Sequence, residues 1–78
     1  MKSKNGYQGK LIYNAAKKSF EADRDEALAV LSVFFESPMG VAEHTGFVNE
    51  VREHTKKLAE AEEALASLEE HFGWMEEI

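Results

Sequence analysis

Residues 47–72 read FVNEVREHTKKLAEAEEALASLEEHF, and the spacing within this stretch decides the fold. Phe47, Val51, His54, Leu58, Ala61, Leu65, Leu68 and Phe72 follow one another in alternating steps of four and three. A helix turns once in 3.6 residues, so positions at that rhythm lie along one side and pack against one partner. Between them stand mostly Glu, Lys and Ala, which favour helix. Arg52, Glu53, Lys56, Lys57, Glu60, Glu63 and Glu70 take the wet side. Glu53 and Lys57 are four apart with the acid first, an order that adds ~0.2–0.5 kcal/mol. Gly73 stands where a left-handed cap commonly ends a helix.

Upstream of this helix the chain must break. Pro38 is the only proline, set in Glu36-Ser37-Pro38-Met39-Gly40. It cannot continue a helix and pushes the residue before it out of the α region. The segment before the break, residues 9–36, carries a related stripe of Tyr13, Ala16, Phe20, Ala27, Val30, Leu31 and Phe34, interrupted at Asp23 and Arg24. Its end, ALAVLSVFF from Ala27 to Phe35, is apolar nearly all round and could suit a strand. Its attachment to a helix-favouring run and the lack of a strand to pair with decide for helix.

The sequence therefore predicts an all-α antiparallel two-helix hairpin, with a flexible basic start over 1–8, helices over 9–36 and 46–72, a loop over 37–45 and a tail over 73–78. Its seam comprises Phe20, Ala27, Leu31, Phe34, Phe47, Val51, His54, Leu58, Leu65, Leu68 and Phe72. Folding about the loop sets Phe34 near Val48, Ala27 near Thr55 and Phe20 near Glu62. Ile12 and Tyr13 then approach Leu68 and Phe72, while Lys17 and Lys18 reach toward Glu62, Glu63 and Glu69. His54, on the seam, is expected to hydrogen-bond across it.

One seam does not use all the apolar side chains. Leu28, Val33 and Phe35 remain around the first helix, Val41 lies in the loop, and Trp74, Met75 and Ile78 follow Gly73. Each large side chain left in water forgoes ~1.5–3 kcal/mol of burial. A chain of 78 residues without cysteine sits near the lower limit for independent stability. These residues are thus expected to form a partner or oligomer interface, completing a bundle with copies of the chain or docking on another protein. Trp74-Met75-Glu76-Glu77-Ile78 reads equally as a cover over the helix ends and as a short anchor into a partner groove.

Nine basic and fifteen acidic side chains leave a net charge of −6. The balance is uneven. Residues 1–39 hold six basic groups against five acidic, and residues 40–78 three against ten. The overall sign disfavours nucleic-acid binding, and the five lysines of residues 1–18 can face the chain's own acidic half. No run approaches the ~18 apolar residues of a membrane span, so no spanning segment is expected, and Glu76 and Glu77 oppose binding of the tail to an anionic membrane surface. The opening MKSKNGYQGK lacks the apolar region of a secretory signal. The expected location is the cytoplasm, with a virion as the other possibility.

Candidate chemistry is sparse. His44, His54, Glu43, Glu50 and Glu53 form the single cluster with metal-ligand character, Glu50 and His54 sharing a helical face. No ligand pattern answers it on the other helix. Gly40 and Gly46 bracket a loop before a helix, but the Lys-Ser/Thr of a phosphate loop is missing and Glu43 repels phosphate. Thr45 or His44 serves better as a cap for the second helix. The serines have no His-Asp relay, and the carboxylates lie along a solvated face. The sequence thus describes a non-catalytic binding protein without cofactor or metal, a metal-binding dimer through His and Glu being the alternative.

From Ala27 through Phe72 the chain resembles a group of short uncharacterised helical proteins of tailed bacteriophages, among them T4-like phages of marine bacteria. The matching residues are Pro38, Gly40, Val41, Glu43 and His44 in the loop, then Leu58, Leu65, Leu68, Glu69 and Phe72. Met39 stands where that group has a branched aliphatic residue, and Ala42 where it has glycine. The resemblance implies a phage origin and the hairpin form. It implies action on a host protein or in complex assembly, or a minor place in the virion, and brings no established activity.

Overall fold

The computed structural model describes residues 2–36 and 46–78. They form helix α1 (Lys2–Glu36), helix α2 (Phe47–Phe72) and a short 3-10 turn (Gly73–Glu77). The two helices pack side by side as an all-α hairpin. The molecule measures 61 × 17 × 15 Å, with a radius of gyration of 17.4 Å. A compact sphere of this length would have a radius of gyration of about 11.5 Å. The chain is a rod two helices thick.

Helix α1 begins at Lys2 rather than near residue 9, so the basic start belongs to the helix. The added turns have a tertiary reason. Gly6 and Gly9 present bare backbone to the closing turn, where a Cβ on Gly9 would stand 2.7 Å from Met75 Cε and one on Gly6 3.2 Å from Ile78 Cγ2. Gly costs a helix interior about 0.8–1.0 kcal/mol relative to Ala, and here the close approach offsets it.

Among the described residues four side chains are buried: Tyr13, Ala27, Leu31 and Ala61. Two of these, Ala27 at 2% exposure and Ala61 at 4%, are small. Small side chains let two helix backbones approach closely, and neighbours on each helix then shield what little surface remains. Phe20, Phe34, Phe47, Val51, His54, Leu58, Leu65 and Leu68 are half-buried along the same seam, as a rod only two helices thick dictates. Phe34 meets Phe47 with ring centroids 5.1 Å apart at the loop end, within one residue of the expected register.

Three expectations about the seam are corrected. Phe72 is 53% exposed, because the chain leaves the helix axis directly after it (φ −133°) and Met75 takes the inward place. Gly73 is not a left-handed cap. Its φ of −58° and ψ of −24° carry the chain into the 3-10 turn, its N–H donating to the Glu69 carbonyl. His54 does not bond across the seam, for its Nδ1 lies 2.9 Å from the Glu50 carbonyl oxygen one turn back. Gly46 is the N-cap residue of α2, without a side-chain cap bond. Val41, Glu43, His44, Thr45 and the loop as a whole lie outside the described residues.

Candidate protein-docking site

The feature with the densest polar geometry is the closing turn on α1. Lys10, Tyr13 and Lys17 stand in steps of three and four and so share one side of the helix. All three reach residues 76–78. Tyr13 Oη donates to Glu76 Oε2 at 2.9 Å, Lys17 Nζ donates to the same oxygen at 2.7 Å, and Lys10 Nζ donates to the main-chain oxygen of Ile78 at 2.8 Å. Lys17 also lies 3.7 Å from Glu69 on α2. Met75 and Ile78 flank the carboxylate and rest on Gly9 and Gly6. One acid is thus held by two hydrogen-bond donors between two apolar contacts.

The electrostatics follow from that geometry. The Lys17 hydrogen bond, then the Tyr13 hydroxyl, hold the Glu76 carboxyl below its ordinary value of 4.5. The same bond to Glu76 pushes Lys17 above its ordinary 10.5. Burial, then the adjoining Glu76 carboxylate, push the Tyr13 phenol above 10.0. A depressed carboxylate contributes stability that is present above 4.5 and lost as pH falls through the lowered value. Raised Lys17 and Tyr13 contribute stability present below 10.5 and 10.0 respectively, and lost as pH rises through the raised values. The turn is therefore expected to stay seated from mildly acidic to mildly alkaline pH and to leave at both extremes. Trp74 is the sole tryptophan and sits within the turn, so its emission reads the transition. Glu76→Gln should remove the acidic arm of that profile. An unchanged acidic arm would assign the transition to another group.

Beside the turn, Gly9, Ile12, Tyr13, Ala16, Leu68, Phe72 and Met75 line an open apolar groove of about 280 Å³. Ile12, expected to close on Leu68 and Phe72, borders this groove and stays 71% exposed. A second cleft of about 370 Å³ lies at mid-hairpin, among Phe20, Asp23, Glu26, Ala27, His54, Lys57, Glu60 and Ala61. Its charges are of both signs. Among the described residues no group of three or more His, Asp or Glu side chains is placed to hold a metal ion.

Of the residues expected to face a partner, Leu28, Val33, Phe35, Trp74 and Ile78 are exposed, Phe35 at 66%. Val48, expected opposite Phe34, is equally open, since Phe47 takes that place. Met75 is half-buried against α1 instead. No helix among the described residues is long and apolar enough to cross a membrane. Sequence reasoning missed the Lys10–Tyr13–Lys17 seat. Its signal was present in the three donors on one helical side, but nothing local said which acid they would meet. Compared with known proteins, the chain matches no family model, no curated protein and no solved structure.

Proposed function

We propose that this chain is a non-catalytic, phage-encoded helical hairpin that acts by protein–protein interaction, on a host protein or in assembling a complex, in the host cytoplasm. The observation that supports the reading is the exposed apolar surface toward the loop end, where Leu28, Val33, Phe35 and Val48 are open on a rod that buries four of its described side chains. Monomers seldom leave so many large apolar groups in water, and covering each gains ~1.5–3 kcal/mol. The cover is another protein, a second copy or both. The net charge of −6 favours a partner with a basic surface and disfavours nucleic acid.

The test compares the chain with a Phe35→Ser/Val48→Ser double variant, by light scattering on the purified proteins and by retention of proteins from host lysate. The parent should form an oligomer or hold one partner stoichiometrically. The variant should lose that association and keep its helical circular dichroism, since neither residue is on the seam. A monomeric parent that retains nothing, or a variant that associates equally well, would remove the reading. Recovery of the chain in purified particles would shift the role to a minor virion component.

A further inference from the structure

The seat on α1 is only partly used by its occupant. Glu76 satisfies Lys17 and Tyr13, and Met75 and Ile78 cover Gly9 and Gly6, yet the apolar groove of about 280 Å³ beside Met75 remains open. Its lining of Ile12, Ala16, Leu68 and Phe72 around Tyr13 carries almost no polar surface. Met75 borders this groove and does not fill it, so the space is open to a bulkier apolar side chain at that place.

From this we infer that the Lys10–Tyr13–Lys17 face is a recognition site for a short partner peptide in which a large apolar residue directly precedes a glutamate and an aliphatic residue follows two positions later. The chain's own Met75-Glu76-Glu77-Ile78 is its resident, competing occupant. The inference rests on the protein-binding reading above and names the chemistry of one partner. The occupied seat displays the required complementarity: two cations and a hydroxyl for one carboxylate and a main-chain oxygen, with bare glycine backbone for the apolar flanks. A tethered segment acts at an effective concentration of about millimolar. The same segment from a second copy would make identical contacts without the tether and so cannot displace it below that concentration. A partner peptide can, by filling the groove.

The test uses the full chain and two dye-labelled peptides, one with the sequence of residues 73–78 and one carrying Met75→Phe in that sequence. Glu76→Gln in the protein loosens the resident turn, so the apparent affinity of the Met75→Phe peptide should rise roughly fivefold over the parent protein. Adding Lys17→Gln to that variant should abolish the gain by removing the cation the peptide carboxylate needs. The peptide of unaltered sequence should bind more weakly than the Met75→Phe peptide to each protein. Equal affinity for parent and Glu76→Gln protein, indifference to Lys17→Gln, or no binding at millimolar peptide would each overturn the assignment. Equal binding of the two peptides, with a mass that rises with protein concentration, would replace the partner by exchange between copies. If the peptides fail while Phe35 and Val48 still govern association, the protein-binding reading stands and only this seat is lost.

Discussion

Leu31→Asp is expected to abolish the cooperative thermal transition. Leu31 is 7% exposed, at the centre of the apolar end of α1 and on the side facing α2. Removing its side chain from the seam forfeits ~1.5–3 kcal/mol of burial, and a carboxylate there pays the cost of leaving water. Domains this small start from the low end of the usual ~5–15 kcal/mol, so the loss takes most of what holds the helices together. The expected observation is helical signal that declines gradually with temperature. Leu28→Asp is the matched control, three residues away on α1 but 43% exposed, and it should keep the transition. Equal melting of the Leu31 and Leu28 variants would mean that Leu31 does not face α2.

The second large effect is expected at Tyr13. Among the described residues this is the most buried large side chain, at 4% exposure, and it lines one groove with Leu68 of α2 while bonding to the closing turn. Truncation of a buried aromatic to Ala costs ~3–5 kcal/mol. Tyr13→Ala should therefore lower the melting temperature sharply and release the turn at once. Tyr13→Phe keeps the ring and loses only the hydrogen bond to Glu76, worth ~0.5–1.5 kcal/mol. It should leave global melting nearly unchanged and alter the pH dependence of Trp74 emission. If the Phe variant melts as low as the Ala variant, the hydroxyl and not the ring carries Tyr13's contribution.

The two substitutions also separate what spacing can tell from what it cannot. Leu31 is readable because its neighbours at three and four residues are apolar, a relation contained within one helix. Tyr13 is readable as part of the stripe, but its bond to Glu76 is not, since 63 positions separate the two. Gly6 and Gly9 show the same divide. In sequence they weaken a helix; in the folded chain they are where Met75 and Ile78 lie against it.

By itself the sequence determined that this chain is two helices packed as a hairpin, and that apolar side chains exceed what one seam can hide. These follow from short-range periodicity and from the stiffness of proline, both local properties. Only the tertiary structure decided that α1 starts at Lys2, that Phe72 turns outward while Met75 turns in, and that Glu76 is the acid which Lys17 and Tyr13 hold. A five-residue 3-10 turn has no repeat to read, and its place depends on which surface lies beside it once the hairpin has closed.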